Sequence, residues 1–144
     1  MYVSRMTGTD DLQRLVEQTL PHRPPFRLVD RLLSTGAGEA LALRRVTHDD
    51  PLVGHTLPAT LIIEGLAQTA ALIAGAEVGV HRGFLVALRG VKVEGQARPG
   101  DTIELSAKRT ATLGGLHRVE GEARVDGVVI LRAELTFAIE PAAS

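Results

Sequence analysis

The segment at 59–78, ATLIIEGLAQTAALIAGAEV, constrains the fold more than any other part of the chain. Leu61, Ile62, Ile63, Leu66, Ala67, Ala70, Ala71, Leu72, Ile73 and Ala74 cover nearly every azimuth of a helix. A helix that is apolar all round must be covered on most of its sides. Residues 61–80 are long enough for a membrane span. Glu64, Gln68 and Glu77 interrupt them, however, and Gly65, Gly75 and Gly79 weaken them. A carboxylate at the bilayer centre costs a few kcal/mol. The segment is therefore predicted to be a helix over 59–78 buried in protein, with no membrane span.

The rest of the chain must supply the cover. Residues 10–20 read as a short amphipathic helix that Thr9 or Asp10 can cap, with Leu12, Leu15, Val16 and Leu20 at helical spacing. Pro21, Pro24 and Pro25 stop it. Strands are predicted over 27–33 and 39–47, joined by Gly36-Ala37-Gly38. A polar loop, HDDPLVGHTLP, leads to the long helix. After Gly83 the period changes from helical to alternating. Strands are predicted over 84–93, 101–113, 116–126 and 128–140, with turns at ARPGD, Gly114-Gly115 and Asp126-Gly127. The last is the cleanest: Val129, Leu131, Ala133, Leu135, Phe137 and Ile139 point one way, Arg132, Glu134, Thr136 and Glu140 the other. The expectation is an α+β architecture in one domain, 1–144, with an antiparallel sheet wrapped around one central helix. Such a sheet leaves its edges and part of the helix exposed, so a homodimer or higher even oligomer is expected.

Composition narrows the function. The net charge is −1, which marks neither a nucleic-acid binder nor a polybasic membrane protein. Aromatics make up 3%, too few for a base-stacking platform. There is no cysteine, which removes disulfides and thiolate chemistry and fits a reducing cytoplasm. The N-terminus has no apolar stretch of the kind a secretory signal needs.

Three motifs then resemble one family. LPHRPPFRLVDRLL at 20–33 is similar to the opening signature of the β-hydroxyacyl-acyl-carrier-protein dehydratases. LIIEGLAQTAA at 61–71 resembles their central helix, and RPGD at 98–101 their Pro-Gly-Asp turn. The resemblance implies the hotdog fold, in which a sheet wraps one long helix, and an assembly built from dimers. It implies an active site at the dimer interface, with a histidine from one protomer and a helix glutamate from the other. His55 and Glu64 take those roles by this resemblance, in a tunnel for an acyl chain on the phosphopantetheine arm of an acyl carrier protein. No cofactor and no metal is implied. One departure stands out: only Thr56-Leu57-Pro58 separates His55 from the helix, where typical members have a longer loop. A divergent dehydratase-like branch has a similarly compact lead-in.

The chemistry suits these residues. Removing water from a 3-hydroxyacyl thioester needs a base at C2 and an acid for the C3 hydroxyl. A histidine titrates in the right range for the first and a carboxyl group serves the second. The thioester oxygen needs N–H donors, and the helix N-terminus around Leu57, Pro58 and Ala59 is where they are expected. Glu64 has no basic residue four positions away to pair with, which favours chemistry over a structural ion pair. Gln68 lies one turn further on the same face, placed to orient Glu64 or a water or simply to pack. His48 is the reserve histidine; His22 reads as a turn residue, His81 and His117 as surface residues. His48, Asp49, Asp50 and His55 match no metal-ligand spacing. Arg23, Arg27, Arg89, Lys92 and Arg98 are the basic side chains available to face an acidic carrier protein. Two rival readings stay open: a hotdog acyl thioesterase, and an inactive dehydratase-like subunit that pairs with a second hotdog chain.

Overall fold

The computed structural model describes residues 8–20, 27–79 and 81–141. Its elements run α1 (Thr9–Thr19), β1 (Arg31–Gly36), β2 (Glu39–Arg45), α2 (Ala59–Val78), β3 (His81–Val93), β4 (Thr102–Leu113), β5 (Leu116–Val125) and β6 (Val128–Pro141). The six strands form one sheet in the order β1-β2-β4-β5-β6-β3, with every neighbouring pair antiparallel. Helix α2 lies across this sheet and touches all six strands, and α1 packs on α2 and β1. This is the hotdog arrangement.

The core forms where the inward parities of the strands meet α2. Ile62, Leu66, Leu72 and Ile73 from the helix pack with Ile103 and Leu105 of β4 and with Leu131 and Leu135 of β6, all nearly fully buried. The apolar window 59–77 of α2 is 61% buried within the protein, as a core helix requires.

Two departures from simple alternation have local causes. The predicted strand at 27–33 begins only at Arg31; ahead of it the Leu28 N–H donates to the side-chain oxygen of Gln68 on α2, and the Arg45 N–H of β2 donates to the Asp30 carboxylate. Leu28 and Val29 are nonetheless buried. On β6, Ile130 and its neighbour Leu131 are both buried. The pairing with β5 shifts between Ala123 and Arg124, and the Ile130 carbonyl instead accepts the N–H groups of Glu94 and Gly95. The hairpin turn Asp126-Gly127 has φ values of 50° and 78°, the left-handed pair that a two-residue hairpin needs.

The two sheet edges differ. β1 is short, whereas β3 is long and, among the described residues, is the last strand of the sheet on its side. Phe84, Val86 and Val93 on β3 are each at least half exposed, at 50, 55 and 57%, and Leu85, Leu88 and Val91 are also exposed. A long apolar edge is a template for another strand.

Candidate active site

Helix α2 brings Glu64 and Gln68 onto one face, one turn apart. Gln68 is 2% exposed. Its Oε1 accepts the Leu28 N–H at 2.7 Å. A backbone N–H can only donate, so that bond sets the orientation of the carboxamide. The Nε2 end is thereby turned toward Glu64, 3.5 Å from Oε1. The sequence left Gln68 between orienting and packing roles; its geometry is that of a spacer locked to the backbone at one end and facing the carboxylate at the other. Gln68→Leu keeps the bulk but leaves the buried Leu28 N–H unpaired, at a cost of about 1–3 kcal/mol. A lowered Tm together with reduced turnover is expected; turnover unchanged in a folded Gln68→Leu protein would reduce Gln68 to a packing residue.

Glu64 and Gln68 lie together in the wall of a cavity of about 820 Å³, whose other polar lining residues are Glu17, Gln18, Thr19, Arg109 and His117. Ala67, Ala70, Ala71 and Ala74 recur along the same face of α2 and line it, and Val119 and Phe137 line it from the sheet. Small side chains at this spacing leave the room that a larger residue would fill. Phe84 and Leu85 also line it, so the cavity reaches the exposed edge strand. A largely apolar hollow with a limited set of polar groups in its wall is the usual form of a small-molecule site.

Arg109 and His117, like Glu17, Gln18 and Thr19, are polar lining residues that were not singled out by the sequence. His117, expected at the surface, is half-buried and lines the cavity, as does Arg109. The signal was present as parity. Arg109 continues the inward set Ile103, Leu105 and Ala107 on β4, and His117 shares its face of β5 with the buried Val119. Arg109 is forked onto Glu77 near the end of α2, with one of the two contacts at 2.8 Å. This hydrogen-bonded partner holds the Glu77 carboxyl below its ordinary pKa, against a smaller opposing effect of burial.

His55 lies elsewhere. It sits on the exposed bend at 54–56 that precedes α2, and it is not among the residues lining the cavity. His48 is also exposed, in a turn. The expected oxyanion donors narrow. The Leu57 N–H is committed to the Ala97 carbonyl at 2.9 Å, and its side chain is buried in the core. Pro58 has no N–H, and the Leu61 N–H returns to the Pro58 carbonyl. Within 57–61, Ala59 and Thr60 are the donors left at the positive end of α2. Leu57 and Pro58 thus shape the entry to the helix without donating there. Asp50, one of the acidic residues beside His48, has its carboxylate engaged by Arg44 and by the Leu52 N–H. Of the basic residues considered for a carrier protein, Arg89, Lys92 and Arg98 are exposed and Arg27 is half-buried. His22 and Arg23 lie outside the described residues, and the side chain of His81 is not described.

Residues 14–143 match the family model for ApeP-like proteins, described as ApeP dehydratase. Among curated proteins, the 3-hydroxyacyl-[acyl-carrier-protein] dehydratase FabZ of Anaeromyxobacter dehalogenans is 39% identical over 131 residues, covering 83% of this chain and 84% of that protein. FabZ of Streptococcus sanguinis is 38% identical over 133 residues, covering 86% and 94%. Among solved structures, the dehydratase heterocomplex ApeI:P from Xenorhabdus doucetiae aligns with a TM-score of 0.77 at 20% identity, over 88% of this chain and 91% of that one. At that identity the match speaks to the fold.

Proposed function

This chain belongs to the ApeP-like dehydratase family, and we propose that it eliminates water from a 3-hydroxyacyl chain held as a thioester on an acyl carrier protein. The observation that carries the proposal is Glu64 in the wall of an apolar cavity, faced by an amide whose orientation the backbone sets. In the proposed reaction His55 removes a proton from C2. The C3–O bond breaks, the C3 hydroxyl leaves as water with a proton from the Glu64 carboxyl, and the C2–H electron pair becomes the C2–C3 double bond. Negative charge that develops on the thioester oxygen meets the Ala59 and Thr60 N–H groups. The apolar walls take the acyl chain. The setting is fatty-acid or polyketide-type biosynthesis in the cytoplasm.

His55 and Glu64 meet, in this proposal, across a homodimer. The support is the apolar edge of β3, whose Phe84 and Leu85 belong both to the exposed strand and to the cavity wall. Pairing β3 with its copy would continue the sheet and close the cavity with the partner's surface. The exposed Arg89 and Lys92 on the same strand, with Arg98, would face the acidic carrier protein. Light scattering is expected to give at least twice the 15.3 kDa protomer mass. Val86→Glu, which places charge on the edge, is expected to yield protomers without turnover. A wild-type chain that is monomeric and fully active would sink the shared site.

The function itself is tested by incubating the chain with a carrier-bound 3-hydroxyacyl substrate and following the 2-enoyl product by mass spectrometry. Release of free thiol instead would make it a thioesterase. The second reading, a subunit active only beside another hotdog chain, is favoured by the pairing named in the ApeI:P heterocomplex. Its mark would be no turnover alone and turnover on co-expression with such a chain.

A further inference from the structure

β2 carries an arginine where its pattern calls for an apolar residue. Ala40, Ala42 and Arg44 form the inward parity of the strand, and all three are buried. The next residue, Arg45, is exposed and already supplies a surface charge. Arg44 Nη1 reaches Asp30 Oδ1 at 3.3 Å, and Nη2 contacts Asp50 Oδ2. The Arg44 and Asp50 side chains are each 9% exposed, and Arg44 Nε has no hydrogen-bond partner among the described residues. Burying such a pair with one donor unsatisfied is a poor route to stability, since apolar side chains of similar volume often serve as well or better. A device of this kind is better explained by geometry that it enforces.

That geometry is the loop leading to His55. The loop is tied at its start, where the Val46 N–H meets the Asp101 carbonyl and the Gly100 N–H meets the Val46 carbonyl. It is tied at its end by the Leu57 N–H on Ala97. Between these ties it has no regular structure, and Asp50 is its node. The Asp50 N–H donates to the Thr47 carbonyl, its own carbonyl accepts the Val53 N–H, and its Oδ1 accepts the Leu52 N–H at 2.9 Å. The remaining carboxylate oxygen takes Arg44. A Cβ at Gly54 would meet nothing within 4 Å, and His55 beside it is exposed. The tip has little packing of its own, so the place of the imidazole follows from its anchors: the turn held at Asp50, Val53 packed against the core, and Leu57 tied to Ala97.

We propose that Arg44 is a positioning residue for the dehydration reaction: through Asp50 it sets the course of the loop that presents His55. The proposal rests on the reading of His55 as the base. A small displacement of a reacting group can cost on the order of 10²-fold in rate. It follows that loosening the clamp lowers kcat while KM, set mainly by the distant cavity walls, changes little.

The test uses full-length protein and a carrier-bound 3-hydroxyacyl substrate. Arg44→Met alone strands the buried Asp50 charge and risks misfolding, so Arg44→Met/Asp50→Asn is made beside it to remove both charges. The double variant is expected to keep a near wild-type Tm and a KM within about threefold, with kcat lowered roughly 10²-fold. Arg44→Lys, which keeps the charge but not the fork, is expected to recover part of kcat. Adding His55→Ala to the double variant should lower turnover no further than His55→Ala alone, because the two changes act on one step. A double variant with wild-type kcat, while His55→Ala is dead, overturns the positioning role alone. Full activity in His55→Ala overturns the reading of the base and the positioning role with it.

Discussion

His55→Ala is expected to abolish both dehydration of a carrier-bound 3-hydroxyacyl chain and hydration of its 2-enoyl product. Both directions pass through one transition state, so loss of the group that holds the C2 proton stops both. A positioned general base contributes roughly 10²–10⁴-fold, and turnover should fall by at least that much. Stability should hardly change. His55 is exposed on a bend, and a surface substitution of this kind lies within about 0.5 kcal/mol of neutral. His48→Ala, on an exposed turn earlier in the same loop, is expected to be silent. Steady-state rates in both directions, with thermal melts on the same samples, decide the matter. Loss of activity in His48→Ala with retention in His55→Ala would transfer the role to His48.

Glu64→Gln is expected to fold normally and to lose about 10²-fold or more in rate. The substitution preserves the shape of the side chain and its capacity to accept a hydrogen bond from Gln68 Nε2, but it removes the acid. The loss should appear in kcat, since the cavity walls that hold the acyl chain are untouched. Glu64 is half-buried beside a locked amide, so a purely structural carboxylate would behave differently: the neutral isostere would alter Tm and leave kcat near its wild-type value. That second pattern would remove Glu64 from the chemistry.

The sequence went furthest where periodicity reports on burial. The long helix was predicted over 59–78 and spans Ala59–Val78. The order of two strands, a helix and four strands followed from the change of period after Gly83, and Asp126-Gly127 marked its hairpin through backbone preference alone. A resemblance carried by LPHRPPFRLVDRLL and LIIEGLAQTAA reached the dehydratases before any coordinates. Glu64 stood out because one carboxylate in so apolar a helix is costly without a purpose. Alternation runs further along the strands than the polar character of their ends suggests. Arg109 and His117 obey the inward parity of β4 and β5, yet His117 was expected at the surface and Arg109 was not singled out.

What only the tertiary structure decided are matters of pairing between distant segments. The Leu28 N–H ahead of β1 goes to Gln68, forty positions away, and the Arg45 N–H of β2 goes to the Asp30 carboxylate. The donor capacity of Leu57 is spent on Ala97, a contact across the sheet connection that no local pattern contains. Arg44 was not singled out in the sequence, and folding alone reveals it as the buried partner of Asp30 and Asp50. Local sequence determines periodicity, turn preference and the chemical types available, because these depend on steric and hydrophobic terms within a few residues. Which donor meets which acceptor depends on how separate elements dock, and that is settled only when the apolar faces of the sheet and helix close on each other.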